Sequence, residues 1–533
     1  MSGRPGTLGA ALASRGPLPY NRRTMPYDYD LIVVGAGSGG SVVAARVSED
    51  PRIRVLLVES GPDYPNLEAL PEDLRNVNHG SFFDHDWGLR YQPSATSRTI
   101  TFARGRVTGG SSAVNTAIAL RGVPADYDEW AALGCPQWSW EKVLPVFIRL
   151  ETDQDFGAGP YHGGSGPLPV RRHARDELVP YQAAFLDACA ELRYPESHDH
   201  NDPESTGYGP HPMNKRGDLR ISTAIAYLDP ARARPNLTVR AEADAVRVVF
   251  RGGDVAGVEV RRGGATETVT APQVVLACGA IHTPAVLVRS GIGPRDVLQR
   301  LGVSEVSVRE GVGNWLQDHP AIGPTLVPKP GVASWDQPVI QTTMRYTATG
   351  SGDFNDMQLE PLSFMHIPNE GPLLMGLAAC VFKSYSFGRL EFDSADVDAK
   401  PRVLMDYLSD ERDYTKLLDG LHRAMELCAT KAISAVAEEV RRPSAAELAD
   451  APALEAWIRR NASTGAHPSC TARMGADDDP AATCDEFGRV YGVRGLRIGD
   501  ASIMPRVPSA NTNVPAIMIG ERIGEWVRED LAP

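Results

Sequence analysis

Three glycines and one glutamate near the start of the chain have the spacing of a dinucleotide-binding site. Residues 30–50 read DLIVVGAGSGGSVVAARVSED, in which Gly35, Gly37 and Gly40 form a GxGxxG motif, and Glu59 ends the later run RVLLVES. In such a motif the first glycine allows a tight turn, the second admits a pyrophosphate and the third lets helix and strand pack closely. Helical N–H groups would face the phosphates, and the glutamate would accept hydrogen bonds from ribose hydroxyls. The motif predicts bound NAD or FAD and leaves the choice between them open.

The same stretch predicts the strand and the helix that would position this motif. Residues 31–34 are a short apolar run that predicts a buried strand, and residues 41–47 predict the following helix. Apolar runs of the same kind return far along the chain, as LTVRA, VRVVF, GVEV, QVVLACGA and LRIGDAS. We therefore predict an α/β, Rossmann-like domain assembled from discontinuous segments.

The domain organisation follows from where these runs return. We assign residues 25–154, 223–313 and 465–533 to the nucleotide-binding domain. Residues 155–222 and 314–464, with alternating runs such as RLEFDSADV, are predicted to form a second domain.

Composition excludes several classes of partner. The chain has 533 residues, 42% of them hydrophobic and 23% charged, which is typical of a globular protein of two or three domains. A formal net charge of -13 disfavours a nucleic-acid partner, because a phosphate backbone requires a basic face. No apolar run approaches the roughly 18 residues that cross a bilayer, so no transmembrane segment is predicted.

Cysteine usage and the first residues bear on the compartment. The seven cysteines are scattered without a CxxC pair, which is typical of a reducing compartment and offers no structural zinc site. We predict a cytoplasmic protein without a metal site, with His198 and His200 of SHDHND in a solvated loop. Residues 1–24 carry arginines but no acid, and their apolar patch is too short for a signal peptide, so a disordered extension is predicted.

Five further stretches complete the pattern of the chain. They read GRVTGGSSAVN, GAIHTPAVLVRSGIG, VGNWLQDHP, HPSCTARMG and GDASIMP followed by NTN and IMIGER. Together with the glycine motif and Glu59, they resemble the glucose-methanol-choline family of flavin oxidoreductases in the family's order over almost the whole chain. The resemblance is greatest to the bacterial choline-dehydrogenase-like and hydroxymethylfurfural or aryl-alcohol oxidase branch.

The resemblance implies FAD as cofactor and an alcohol as the hydride donor. It makes the first domain FAD-binding and the second an α+β substrate-binding domain with an antiparallel sheet. Val114 stands where some members carry a histidine bonded to the flavin, so the FAD is expected to be noncovalent. Matching positions imply these cofactor contacts: Gly35, Gly37, Ser38, Gly40, Glu59, Trp87, Val107, Gly110, Asn115, Ala117, Ala245, Asp500, Ala501 and Asn513.

The same matching implies two catalytic residues, His467 and Asn511. A neutral histidine can accept the hydroxyl proton while a primary alcohol loses hydride to flavin N5 and becomes an aldehyde. The amide N–H of Asn511 can stabilise the developing alkoxide. We expect Asn513 to cap the last helix, whose positive end would face the flavin, and His319 to be a structural turn residue.

Several alternatives remain open from sequence alone. A lyase of the hydroxynitrile type on the same scaffold would bind FAD without net redox chemistry. A flavin photoenzyme acting on carboxylates is more remote, because His467 and Asn511 are both present, and an NAD-dependent dehydrogenase is disfavoured by the terminal flavin segment. No motif identifies the electron acceptor, so oxygen, a quinone and a carrier protein all remain possible.

Overall fold

A computed structural model describes residues 27–81, 83–157, 159–365 and 373–532. The predicted extension, residues 1–24, lies outside the described residues. Within the described part of the chain, no helix is long and apolar enough to cross a bilayer.

A five-stranded parallel sheet contains the strand that precedes the glycine motif. Its strands, in spatial order, are Leu237–Arg240, Val55–Val58, Leu31–Val34, Gln273–Leu276 and Leu496–Ile498. The three central strands are buried at every position except Gln273, which explains why they appear in the sequence as continuous apolar runs instead of alternating ones. The sheet therefore unites strands from widely separated parts of the sequence, in an α/β arrangement.

Two of the predicted strands join a different sheet. VRVVF and GVEV lie in Asp244–Arg251 and Asp254–Arg262, which pair with Ala265–Thr270 in a separate three-stranded antiparallel sheet. Along Asp254–Arg262 buried residues largely alternate with more exposed ones, as expected of a strand with one covered face.

A second large sheet contains eight strands and is antiparallel at every pairing. The strands are Gly207–Pro210, Pro320–Ile322, Thr325–Pro328, Thr342–Tyr346, Met357–Met365, Leu374–Val381, Ala437–Arg442 and Ser463–Thr464. All of them come from the segments predicted for the second domain. The run RLEFDSADV does not join this sheet: Arg389–Glu391 belongs to a four-stranded sheet with Arg402–Leu404, Leu89–Gln92 and Ile100–Phe102.

Helices cover both large sheets. The main α-helices are Gly40–Val47, Glu72–Arg75, Pro124–Ala132, Trp140–Leu150, Pro180–Glu191, Gly279–Arg289, Arg295–Leu301, Glu411–Cys428, Lys431–Val436, Ala445–Ala449, Ala451–Asn461 and Asn513–Leu531. Short strand pairs link Glu151–Asp153 with Leu168–Val170, Lys215–Arg216 with Leu219–Arg220, and Ile292–Gly293 with Ser307–Val308. The helix of the glycine motif packs against the C-terminal helix, and Arg46 forms an ion pair with Glu521 at 2.9 Å between them.

Candidate active site

The glycine motif lies in the turn between the first strand and its helix, where each glycine meets a different steric demand. Gly35 has a φ of +96°, and a Cβ there would lie 2.4 Å from the carbonyl oxygen of Ala277. A Cβ on Gly40 would lie 1.9 Å from the carbonyl oxygen of Gly35, so this glycine lets the helix pack on the strand. A Cβ on Gly37 would have the Gly110 Cα as its nearest atom, at 3.8 Å, so this side of Gly37 is open to the cavity.

Glu59 ties this turn to the end of the second strand. Its Oε2 accepts a hydrogen bond from the Ala36 N–H and its Oε1 accepts one from the Gly61 N–H, both at 2.8 Å. Burial raises the pKa of the Glu59 carboxyl, while the bonds from Gly61 and Ala36 act in the opposite direction. Each oxygen keeps a second lone pair and the side chain lines the cavity, so the carboxylate can accept further hydrogen bonds, and its contact with ribose hydroxyls stays a prediction.

A cavity of about 490 Å³ runs from this turn to His467, within the size range of small-molecule sites. Most predicted contact residues line it: Gly35, Gly37, Ser38, Glu59, Trp87, Gly110, Asn115, Ala245, Asp500, Ala501 and Asn513, together with His467 and Asn511. Gly40, Val107 and Ala117 do not. Val107 and Ala117 are almost fully buried, and their contact with a cofactor stays a prediction.

The wall fits a dinucleotide cofactor. It combines glycines that leave space with polar atoms that lack protein partners: Asn511 Oδ1 and Asn513 Nδ2 are buried and unbonded. The expected capping role of Asn513 is wrong. Thr512 is the N-cap residue, without a side-chain cap, and Asn513 is the first helical residue, with its Oδ1 accepting a hydrogen bond from Ser38 at 2.8 Å. This bond fixes which end of the Asn513 amide is unpaired.

His467 and Asn511, 44 residues apart in sequence, meet at the far end of the cavity. The Nδ2 of Asn511 lies 3.1 Å from the Nε2 of His467. On its other side, His467 Nδ1 lies 2.9 Å from Nδ1 of His319. The structure therefore brings together the two predicted catalytic side chains and adds a second imidazole.

Pro508, His319, His467 and Asn511 form a row of hydrogen bonds, and the Pro508 carbonyl at its end determines the direction of each bond. The Nε2 of His319 lies 3.1 Å from the carbonyl oxygen of Pro508, which can only accept, so His319 carries its proton on Nε2. Burial lowers the pKa of His319 to about 4, so this ring is neutral and its Nδ1 accepts from His467 Nδ1–H. His467 then has an unprotonated Nε2, which faces the amide of Asn511.

His467 itself is held in its neutral form. Burial lowers its pKa well below the usual value, and His319 and Arg104 add to that effect. Arg104 donates to the Ala466 carbonyl oxygen at 2.8 Å, next to the histidine in sequence.

A buried carboxylate fixes the loop that carries His467. Asp318 Oδ1 accepts from the backbone N–H groups of His467 at 2.7 Å and of His319 at 2.8 Å. Its Oδ2 accepts from the hydroxyls of Tyr407, at 2.5 Å, and Thr464. Because both oxygens are satisfied, this side chain is used for positioning the loop, and four groups around the base share one anchor.

The loop that carries Asn511 is fixed at Ser509. The backbone N–H and hydroxyl of Ser509 donate to the two carboxylate oxygens of Asp126 at 2.9 and 3.0 Å. Arg345 donates to the Ser509 carbonyl at 3.1 Å. The Pro508 carbonyl and the Asn511 amide thus belong to one short, anchored loop.

His319 is a residue of the site that the sequence interpretation missed, because it was expected to be a structural turn residue. The available signal was its place in VGNWLQDHP, one of the stretches that carried the family resemblance. The ring stacks on Phe382 with centroids 4.4 Å apart, which fixes its plane beside His467. His200 also differs from expectation: it is fully buried and not solvated.

One group of potential metal ligands occurs among the described residues, formed by Glu151, Asp153 and His162. Arg121 and Arg172 form ion pairs with these carboxylates, at 3.2 Å to Glu151 and 2.8 Å to Asp153. Burial opposes the charge of His162, but its hydrogen bonds to carboxylates raise its pKa to about 10. A protonated imidazole and two guanidinium groups make this cluster a buried ion-pair network.

Comparison with known proteins assigns the fold to a described group. A family model described as GMC oxidoreductase matches residues 29–321, and its C-terminal counterpart matches residues 384–520. The chain is 36% identical to 5-(hydroxymethyl)furfural oxidase of Methylovorus sp. (strain MP688) over 528 residues, covering 94% of this chain and 98% of the relative. It is 35% identical to an oxygen-dependent choline dehydrogenase of Stenotrophomonas maltophilia (strain K279a), covering 94% and 95%.

A solved structure agrees with these relatives. The crystal structure of pyridoxine 4-oxidase from Mesorbium loti superposes with a TM-score of 0.86 at 29% identity, covering 94% of this chain and 99% of the other.

Proposed function

The chain belongs to the GMC oxidoreductase family, and from this membership together with the geometry at His467 we propose that it oxidises a primary alcohol to an aldehyde. Bound FAD supplies the hydride acceptor, its N5 atom. The observation that carries the proposal is the unprotonated Nε2 of His467 beside the amide of Asn511, at the end of the cavity that begins at the dinucleotide turn.

Two side chains divide the work on the alcohol. His467 Nε2 accepts the hydroxyl proton, and its depressed pKa keeps it available as a base at neutral pH. Asn511 Nδ2 donates to the same oxygen as negative charge develops on it. His319 accepts from His467 Nδ1–H, so the ring that gains a proton at Nε2 keeps a partner at its other nitrogen.

The mode of cofactor attachment follows from the cavity wall. Val114 lines it and is almost fully buried, and an apolar side chain at this position provides no nucleophile for a bond to the flavin. We therefore propose noncovalent FAD.

The names of the three relatives favour oxygen as the electron acceptor. The seven free cysteines support the predicted cytoplasmic location.

The proposal is tested by mixing the enzyme with benzyl alcohol, 5-(hydroxymethyl)furfural and choline under anaerobic conditions. Loss of the flavin absorbance with formation of aldehyde is expected with at least one of them, and admission of air measures reoxidation. A lyase would leave the flavin oxidised, so that result with every alcohol would contradict the proposal.

His467→Ala is expected to slow this bleaching by about 10² to 10⁴, the usual contribution of a positioned general base. His422→Ala, on the exposed face of Glu411–Cys428, is the matched control and should bleach at the original rate. Because burial keeps His467 neutral, the wild-type rate should stay level as the pH falls from 8 to 6.5 and decline only well below that. Equal rates for the two variants would remove His467 from the mechanism.

A further inference from the structure

Glu360 is a carboxylate in the wall of the active-site cavity that the chemistry above does not use. It lies in the strand Met357–Met365 of the antiparallel sheet, and its side chain is 14% exposed. It lines the same cavity as His467 and Asn511. It belongs to a different sheet from the one that carries the glycine turn.

The carboxylate lacks a cationic partner within the described protein. Gln358 donates a hydrogen bond to its Oε1, and His211 Nε2 is 3.7 Å away, beyond hydrogen-bonding distance. Its Oε2 has no hydrogen-bond partner among the residues that the structure describes, and no Arg or Lys among them forms an ion pair with it. A mostly buried carboxylate in this state is costly unless a ligand supplies the missing charge and donor.

The surrounding groups do not neutralise this charge. His211 is fully buried with both ring nitrogens unbonded, and burial lowers its pKa well below the usual value, so it is neutral. Cys380, on the adjacent strand, is also neutral because burial raises the pKa of its thiol. Arg345, on the strand at the other side, donates to the carbonyl groups of His200 and Ser509.

The helices packed on this strand lie against its other face. Gln182, from Pro180–Glu191, donates to Ser363, and Gly420, from Glu411–Cys428, lies against Met357. Side chains at 357 and 363 point away from that of residue 360 because strand residues alternate. Arg104, a charged residue of the cavity wall next to the His467 loop, donates to the Ala466 carbonyl.

We propose, on the basis of the function above, that Glu360 selects alcohols that carry a protonated amine at the end remote from the carbinol. The ammonium N–H groups would bond to the free Oε2 and supply the counter-charge that the protein does not. A charge-assisted hydrogen bond of this kind is worth about 10- to 100-fold in affinity.

The test compares two alcohols that differ only at that end, 4-(aminomethyl)benzyl alcohol and 4-methylbenzyl alcohol. Wild-type enzyme at pH 8.5 should prefer the amine about 10- to 100-fold in kcat/KM. The isosteric Glu360→Gln variant should lose most of this ratio. Asp398→Asn removes the same charge from another part of the cavity wall, where Asp398 pairs with Arg261, and should keep the ratio. A wild-type ratio near one, or an unchanged ratio in Glu360→Gln, would overturn the proposal.

A pH series provides a test that requires no variant. Burial raises the pKa of Glu360 to about 7, with the bond from Gln358 acting against this. Lowering the pH from 8.5 to 5.5 therefore protonates the carboxyl, and the preference for the amine should fall towards one. A preference that is level over this range would assign the selectivity to another group.

Binding of benzylamine separates this inference from the proposed function. Its dissociation constant, measured from the shift of the flavin spectrum, should rise about 10- to 100-fold from wild type to Glu360→Gln at pH 8.5. If no alcohol bleaches the flavin, the oxidation fails while this measurement still decides the role of Glu360. If alcohols bleach it but benzylamine binds both proteins equally, only the role of Glu360 is wrong.

Discussion

Replacing His319 by leucine tests whether this residue sets the protonation of the base. The substitution removes the acceptor 2.9 Å from His467 Nδ1, in a buried site that water does not readily fill. An unpaired buried donor costs about 1 to 3 kcal/mol. The His467 ring can avoid this cost by carrying its proton on Nε2 instead, but that tautomer has no lone pair to offer the alcohol.

Since each 1.36 kcal/mol is tenfold in rate, His319→Leu should slow flavin reduction by about 10- to 100-fold at saturating alcohol. The assay is anaerobic stopped-flow reduction by benzyl alcohol, with FAD content checked from the absorbance before mixing. His319→Asn is the matched variant, because its Oδ1 occupies nearly the position of the histidine Nδ1. It should recover most of the lost rate although it gives up the contact with Pro508.

The rates of flavin reduction in these two variants show whether residue 319 controls the tautomer of His467. If leucine and asparagine at residue 319 give the same rate, an acceptor at that point does not control His467. If the leucine variant reduces its flavin as fast as the wild type, the tautomer is set elsewhere and the assignment of the hydrogen-bond row is incorrect.

Two further substitutions test the remaining parts of the site. Asn511→Ala should lower the rate of flavin reduction about 10²- to 10³-fold, as loss of one oxyanion donor does, with a smaller effect on alcohol affinity; a loss confined to affinity would contradict its role in the reaction. Gly40→Ala should yield protein with reduced FAD content and about 1 to 3 kcal/mol less stability, because the added Cβ would meet the Gly35 carbonyl at 1.9 Å. The control is Gly352→Ala, whose added Cβ has no atom within 4 Å and which should match the wild type in both measurements.

The dinucleotide turn was predictable because its causes are local. The φ of +96° at Gly35 and the contact of Gly40 with the Gly35 carbonyl are set within one strand, one turn and one helix, and the spacing of the motif reports them directly. The contact of Gly35 with Ala277 is the one demand that comes from elsewhere in the chain. The family resemblance and the mixed α/β fold are likewise confirmed, by the family models and by the similar solved structure.

The features that could not be predicted from the sequence depend on contacts with residues far away in the chain. His319 contacts His467, which is 148 residues away, and no local pattern distinguishes this from a buried turn histidine. Asn513 fails as a cap because its amide is engaged by Ser38, 475 residues away. VRVVF forms an edge of a separate sheet because its pairing partner, and not its apolar character, decides which sheet it joins.

The anchored loop at Pro508 has one more consequence. Starting from its carbonyl, the contacts pass through the imidazoles of His319 and His467 to the amide of Asn511, and the covalent backbone then returns to Pro508. The four residues therefore form a closed ring with no free end. A shift of this loop would therefore alter both contacts of the His467 ring, the one at Nδ1 through His319 and the one at Nε2 through Asn511.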